Sequence, residues 1–198
     1  MGDCEAAAVL AAQAVAHGAL QKATELAWLI DVIRDQPRPK RILEIGSWEA
    51  GTLWLWHQLA DEVWSIDIRP VPHRDWMDDR VNLVTAASAD ARALVPSSFD
   101  LVFIDGDHST PGVNTDWDLY APLASMVAIH DIVPWNPTPE ETAQGYGERG
   151  VEALWHRVKA TRTTLEFCDP MTQAWPDGRS LDHREGGIGI ALMDQEHA

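Results

Sequence analysis

The chain has 198 residues and a mass of 22.0 kDa, which is enough for one domain with a full hydrophobic core. Hydrophobic residues make up 45% of the sequence and charged residues 23%, a composition that excludes a disordered or low-complexity chain. The formal net charge is −16, so the protein repels polyphosphates and anionic lipid headgroups. We therefore expect neither a nucleic-acid partner nor a membrane partner.

The two cysteines, Cys4 and Cys168, form neither a metal-binding spacing nor a disulfide framework. The N-terminus is acidic where a secretory signal is basic. No apolar run approaches the roughly 20 residues of a membrane helix. We expect a cytoplasmic protein.

The N-terminal segment, from Glu5 to about Asp35, is rich in Ala and Leu and predicts two helices divided at Gly18. Pro37 and Pro39 end the second helix. We expect residues 1–37 to form a helical extension and residues 38–198 to form the main, ligand-binding domain.

After this extension, short β-rich runs alternate with helical ones. The runs are nearly continuous in Val, Ile, Leu or Phe, as is typical of strands covered on both faces of a parallel sheet. The predicted strands are Arg41–Ile45, Glu62–Ile66, Val81–Thr85, Asp100–Asp105, Ser125–His130, Thr163–Cys168 and Gly187–Met193. The predicted helices are Gly51–Ala60, Ala89–Leu94, Val113–Leu123 and Val151–Ala160. The spacing favours right-handed βαβ units, so the fold class is α/β, and the last two strands should form an antiparallel pair at one edge.

A long segment from Pro134 to Gly147 has the Pro, Gly and polar content of a loop. Loops of this length within a domain often cover a binding site. We expect this segment to act as a lid, with Trp135 as a candidate cover for a substrate.

Polar residues end several predicted strands, at the edge where open α/β sheets bind ligands. The first strand leads into a loop at Gly46, where a ligand can approach backbone N–H groups. The second strand ends in Asp67, about 20 residues later, where a carboxylate can accept from both ribose hydroxyls of an adenosine. Glu44 would repel a pyrophosphate and attract a cationic methionine moiety. The alternative is that these residues bind no ligand: Gly46 and Gly51 would only form a tight turn, and Asp67 would cap the next segment.

Several motifs resemble the class I S-adenosylmethionine-dependent methyltransferases. They are Ile42–Ser47, Ser65–Asp67, Asp100–Ser109, Gly112–Val113, Asp116–Trp117, Ile129–Ile132 and Gly186–Ile190. Within this class, the sequence is most similar to the group that includes cephalosporin-hydroxylase-like proteins and macrolide-sugar and rhamnosyl O-methyltransferases. The resemblance covers about residues 38–193, and the motif of the fourth strand is its most specific part.

The resemblance implies a Rossmann-like sheet of seven strands, with the last strand antiparallel and helices on both faces. It also implies which residues contact the cofactor S-adenosylmethionine. These are Glu44, Gly46 and Ser47 at the methionine end, Asp67 at the ribose, Ala87 and Ser88 at the adenine edge, and Asp105 at the end of the fourth strand. Trp48 is added as a candidate because it lies within the binding loop.

In metal-dependent members of this group, Asp105 aligns with a magnesium ligand, Asp131 with a second acid, and His108 with the general base. Methyl transfer requires an acceptor hydroxyl to lose its proton near attack, and an imidazole that titrates near neutrality can take it. We predict His108 as the base, with Asp105 as a second catalytic residue. The sequence departs from the group at His130, where those members carry an acid, and at Ala50, where many carry glycine.

We predict a divalent-cation site at Asp105, His130 and Asp131, with Mg²⁺ as the first candidate. Histidine is an unusual ligand for Mg²⁺. His130 could therefore select a softer metal, or it could hydrogen-bond Asp131 without touching a metal.

The sequence thus predicts an S-adenosylmethionine-dependent methyltransferase that acts on a hydroxyl of a small molecule or sugar, with a homo-oligomer left open. One alternative is a non-haem-iron hydroxylase that uses His108, His130 and Asp131. That alternative explains neither Glu44 nor Asp67. Another is a domain that binds the cofactor without turnover.

Overall fold

The computed structural model describes residues 2–133, 150–171, 173–174, 180–181 and 186–193. Two helices open the chain, α1 (Gly2–Ala16) and α2 (Ala23–Arg34). Gly18 follows α1 with a φ of +104°, a conformation that favours glycine after a helix. The expectation of two helices divided at Gly18 is confirmed.

A seven-stranded sheet forms the centre of the molecule. Its strands are β1 (Arg41–Ile45), β2 (Glu62–Asp67), β3 (Val81–Thr85), β4 (Phe99–Ile104), β5 (Ala124–His130), β6 (Thr163–Phe167) and β9 (Ile188–Leu192). They lie in the order β3-β2-β1-β4-β5-β9-β6. The first five strands pair in parallel, and β9 runs antiparallel to both β5 and β6. Two short strands, β7 (Gln173–Ala174) and β8 (Ser180–Leu181), pair separately. The predicted sheet with its antiparallel last strand is confirmed.

Helices cover both faces of the sheet, as predicted. The remaining helices are α3 (Gly51–Leu59), α4 (Ser88–Ala91), α5 (Thr110–Tyr120) and α6 (Val151–Thr161), with 3₁₀ turns at Arg92–Leu94 and Ala121–Leu123. Apolar residues of α1, α2 and α3 pack on one face, and those of α4, α5 and α6 pack on the other. The division at residue 37 stays a prediction, but α1 and α2 share one hydrophobic core with the sheet.

Helix α5 begins three residues before its predicted start. Ser109 is its N-cap and accepts a hydrogen bond from the Gly112 N–H at 3.2 Å, and Pro111 lies in the first turn. A Ser cap followed by a Pro is a start signal that the apolar spacing alone does not include. Among the described residues, no helix has the length and apolar character needed to cross a bilayer.

Candidate active site

A cavity of about 1070 Å³ opens at the carboxyl ends of β1, β2, β4 and β5. The order of the strands reverses here, because β2 and β3 lie on one side of β1, and β4 and β5 lie on the other. Every predicted site residue except Glu44 lines the cavity: Gly46, Ser47, Trp48, Asp67, Ala87, Ser88, Asp105, His108, His130 and Asp131. The functional roles of these residues stay predictions.

The turn after β1 requires a glycine at Gly46. Its φ is +85°, and a Cβ built there would lie 2.2 Å from the Asp105 carbonyl oxygen. The Gly46 N–H donates to the Ile66 carbonyl at 2.9 Å, so the turn is held against both neighbouring strands. Ala50 stands where many members of the resembled group carry glycine. Its φ is +68°, a conformation that costs alanine about 1–2 kcal/mol.

Asp67, at the end of β2, organises the loop after β1. Its Oδ2 accepts from the N–H groups of Ser47 at 3.0 Å and Trp48 at 2.9 Å, and its Oδ1 accepts from the Arg69 N–H at 2.9 Å. A carboxylate offers about four acceptor positions, so one remains on Oδ1 for a ligand donor. The guanidinium of Arg69 lies 3.8 Å from the centre of the Trp48 ring, and Trp48 as a residue is 48% exposed.

Glu44 lies under the cavity and does not line it. It is fully buried on β1 and accepts from Trp56 Nε1 at 3.1 Å, beneath helix α3. Burial raises the pKa of Glu44 to about 7, against the opposing hydrogen bonds from Thr52, Ser47 and Trp56. Its place at the methionine end of the cofactor stays a prediction. Ser47 and Thr52, which hydrogen-bond Glu44, do line the cavity.

Four titratable side chains meet at the ends of β4 and β5: Asp105, His108, His130 and Asp131. Asp105 Oδ1 lies 3.1 Å from His108 Nε2 and 3.1 Å from His130 Nδ1. Asp131 completes the cluster through Oδ2, 3.4 Å from His108 Nδ1, and Oδ1, 3.3 Å from His130 Nδ1. We refer to these four residues as the Asp–His cluster.

Charge pairing sets the protonation of the Asp–His cluster. Burial alone would raise the pKa of Asp105, but the neighbouring His130 and His108 hold it well below its usual range. Burial alone would lower the pKa of His130, but Asp105, Asp131 and Glu25 raise it to about 9. His130 is therefore an imidazolium at neutral pH, with carboxylates around it.

The structure adds two residues that the sequence did not predict. Gln21, between α1 and α2, donates its amide N–H to Asp105 Oδ2. Glu25, in the first turn of α2, has Oε2 4.0 Å from His130 Nε2. No local motif marks either residue, because both partners lie far along the chain. The predicted lid from Pro134 to Gly147, with Trp135, lies outside the described residues.

A metal ion could be held by part of the Asp–His cluster. Asp105, His108 and Asp131 each offer one ligand atom, and these atoms lie within 4.8 Å of one another. This group contains His108 in place of the predicted His130, whose Nδ1 already contacts both carboxylates.

The fold is that of known methyltransferases. Similar solved structures include the O-methyltransferase from Bacillus cereus in complex with SAH (S-adenosylhomocysteine), which is 17% identical with a TM-score of 0.56 and covers 98% of this chain and 91% of its own. The O-methyltransferase TomG from Streptomyces achromogenes, involved in tomaymycin synthesis and solved with SAM, is 17% identical with a TM-score of 0.57 and covers 94% and 89%.

The N-methyltransferase NodS from Bradyrhizobium japonicum WM9, solved with S-adenosyl-l-homocysteine, is 14% identical with a TM-score of 0.58 and covers 85% of each chain. At these identities, the likeness shows the fold alone. Among curated proteins, none matches the sequence significantly.

The sequence also matches a family model, described as a methyltransferase domain, over residues 24–132. The match spans more than half of the chain and includes the ends of β1, β2, β4 and β5, which form the cavity. The chain therefore belongs to this methyltransferase family, as an S-adenosylmethionine-dependent enzyme with the class I fold.

Proposed function

We propose that the protein transfers the methyl group of S-adenosylmethionine to a hydroxyl of a small molecule or sugar, with His108 as the general base. The observation that carries this proposal is the position of His108 in the cavity wall. Its side chain is 26% exposed and lies between Asp105, at 3.1 Å, and Asp131, at 3.4 Å. Two carboxylates at these distances can accept from the ring nitrogens and hold the imidazole in one orientation.

The cofactor would lie along the cavity from the Asp–His cluster to the start of α4. Gly46 and Ser47 would face its methionine end, Asp67 its ribose, and Ala87 and Ser88 its adenine. The remaining acceptor position of Asp67 supports a hydrogen bond from a ribose hydroxyl.

In the proposed transfer, S-adenosylmethionine supplies the methyl group and His108 accepts the proton. The acceptor oxygen attacks the methyl carbon, and the carbon–sulfur bond breaks with its electrons going to sulfur, which leaves S-adenosylhomocysteine. The hydroxyl proton passes to His108 Nδ1, because Nε2–H donates to Asp105 in the tautomer that its 3.1 Å contact favours. The Asp131 contact of Nδ1 is longer, at 3.4 Å, so an acceptor hydroxyl can replace it.

We propose a small-molecule acceptor, and the net charge of −16 argues against a nucleic acid. Two of the solved neighbours described above are O-methyltransferases, which supports oxygen as the acceptor atom. The exposed and unpaired Cys168 is compatible with the proposed cytoplasmic location.

A divalent cation is the second element of the proposal. Asp105, His108 and Asp131 would hold it, and their oxygen and imidazole donors fit a cation such as Mg²⁺ or Mn²⁺. Such an ion lowers the pKa of a bound hydroxyl and orients it. His108 would then be a ligand, so the cation and the base are competing roles for one side chain. The group contains a single histidine, which gives little support to the hydroxylase alternative.

The test is transfer of radiolabelled methyl from S-adenosylmethionine to a panel of phenols, catechols and methyl glycosides, with and without EDTA. The proposal expects a methyl ether product, and activity that resists EDTA excludes the cation, so that His108 can act as the base. Loss with EDTA and recovery with Mg²⁺ or Mn²⁺ assigns the metal. In that case His108→Ala would also abolish Mn²⁺ binding, as measured by electron paramagnetic resonance. Cofactor binding without any methylated product would support the domain without turnover and contradict the proposal.

A further inference from the structure

The segment between α1 and α2 forms one wall of the active-site cavity. Gly18, Ala19, Leu20 and Gln21 all line the cavity. This segment precedes residue 24, where the family model begins, and it lies in the predicted helical extension. Nothing in the family match therefore assigns a role to it.

The backbone of this segment is fixed against the start of α3. A Cβ built on Gly51 would lie 1.8 Å from the Ala19 nitrogen, so the two backbones are in direct contact and only glycine fits. Past Gln21, the Lys22 ammonium donates to the Asp169 carbonyl at 2.8 Å, and Glu25 Oε1 accepts from the Asp169 N–H at 3.0 Å. The chain around Gln21 is thus held from both sides.

Gln21 contacts the Asp–His cluster through Asp105. Its side chain is almost fully buried, and its amide N–H donates to Asp105 Oδ2. The other oxygen, Oδ1, faces His108 and His130 at 3.1 Å. The amide nitrogen must be the atom that faces Asp105, because the amide oxygen would repel a carboxylate. Gln21 therefore fixes the rotation of the Asp105 carboxylate without adding a charge.

We propose that Gln21 is a positioning residue for methyl transfer: it holds Asp105 so that Oδ1 stays directed at His108. This inference rests on the proposed role of His108. Without the Gln21 donor, the carboxylate can rotate about its last bond, and His108 loses the partner that sets its tautomer and orientation. Misplacement of a reacting group by about 1 Å can lower a rate by about 10²-fold.

The test compares Gln21→Leu, which keeps the size of the side chain and removes the donor, with Gln21→Glu, which replaces the donor by an acceptor. Gln13→Leu, at an exposed site on α1, is the matched control. The first measurement is nitrogen-15 NMR of imidazole-labelled histidines in the full chain, with and without S-adenosylhomocysteine. We expect the His108 and His130 signals to move in both Gln21 variants, while those of the exposed His156 stay.

The second measurement is single-turnover methyl transfer to the fastest acceptor of the panel above. We expect a loss of about 10- to 100-fold in both Gln21 variants, with binding of S-adenosylhomocysteine within about threefold of wild type. Unmoved His108 signals, or a rate within about twofold of wild type, would overturn the proposal. A wild-type protein that methylates nothing would count against the proposed function instead, and the NMR comparison would still decide the role of Gln21.

Discussion

The two halves of the cavity are held in different ways. At the ends of β1 and β2, one carboxylate, Asp67, accepts from three backbone N–H groups, and a Cβ at Gly46 would collide with the backbone after β4. At the ends of β4 and β5, the contacts run between charged side chains of the Asp–His cluster. We call these the backbone half and the charged half.

The difference assigns a different task to each half. Backbone groups cannot change their protonation, so the backbone half suits a cofactor that must bind in the same way in each cycle. The charged half contains groups that can take up and release protons, as the proposed catalysis requires. Substitutions should therefore affect binding in one half and rate in the other.

The largest effect is expected in the charged half, for His108→Ala. Removing a general base costs about 10²–10⁴-fold in rate. We expect this loss in kcat, with partial recovery at high pH, where an ionised acceptor no longer needs the base. Steady-state and single-turnover kinetics measure it, and His156→Ala, on the exposed face of α6, is the control. A folded His108→Ala protein with the wild-type single-turnover rate would remove the base assignment.

In the backbone half, Gly46→Ala should lower the free energy of unfolding by about 3 kcal/mol, because alanine at a φ of +85° also meets the Asp105 carbonyl. Urea denaturation measures the change. Gly106→Ala is the control, since a Cβ there would meet side-chain atoms at 3.2 Å (Ile45 Cγ2) and 3.3 Å (Asp116 Oδ2), and backbone only at 3.6 Å. Equal stability of the two variants would show that the turn after β1 is less constrained than we describe.

The stability of the protein should fall over two separate pH ranges, or windows, one set by Glu44 in the backbone half and one set by His130 in the charged half. The pKa of Glu44 is about 7 when folded and near 4.5 when unfolded, so the folded state holds the extra proton and stability falls as pH rises from 4.5 to 7. The pKa of His130 is about 9 when folded and near 6.5 when unfolded, so the stability it contributes below pH 6.5 is lost as pH rises to 9. Across each window, the free energy of unfolding should fall by about 3 kcal/mol.

Two variants separate these windows in urea denaturation from pH 4 to pH 9. Glu44→Gln should flatten the lower window, and His130→Gln should flatten the upper one. Glu152→Gln, on the solvent-facing side of helix α6, serves as the control for loss of an acid. A Glu44→Gln protein with the wild-type slope below pH 7 would show that Glu44 is ionised in the folded state.

The smallest effect is expected at the cavity mouth, for Arg69→Ala. The guanidinium of Arg69 stacks on the exposed Trp48 ring, and an exposed cation–π contact contributes about 0.5–1 kcal/mol. We expect a loss of that size in stability, as measured by thermal unfolding, and Arg69→Lys should recover part of it. A loss above about 2 kcal/mol would mean that Arg69 has a further partner.

The strands and most helices could be predicted from the sequence, because buried parallel strands are continuous apolar runs and their polar ends are easy to see. The same reasoning brought Asp67, Asp105, His108 and Asp131 to one cavity. The position of Glu44 beneath the cavity follows from the geometry of a strand. Side chains alternate along β1, so Glu44 shares a face with Ile42, under α3, where Trp56 binds it.

Other features depend on contacts that no local pattern contains. Gln21 reaches Asp105 across 84 residues of sequence, and Glu25 reaches His130, at the end of β5, from helix α2. The choice between His108 and His130 as the histidine nearest a cation depends on the directions of two rings. Sequence spacing does not determine such directions.

The most direct test of the division between the two halves is calorimetric titration of S-adenosylmethionine into wild type, Asp67→Ala and His108→Ala. Loss of the charge-assisted hydrogen bond to the ribose should weaken binding to Asp67→Ala by about 1.5–3 kcal/mol, or at least tenfold. His108→Ala should bind within about threefold of wild type. Equal binding by all three proteins, or a loss in His108→Ala as large as that in Asp67→Ala, would contradict the account.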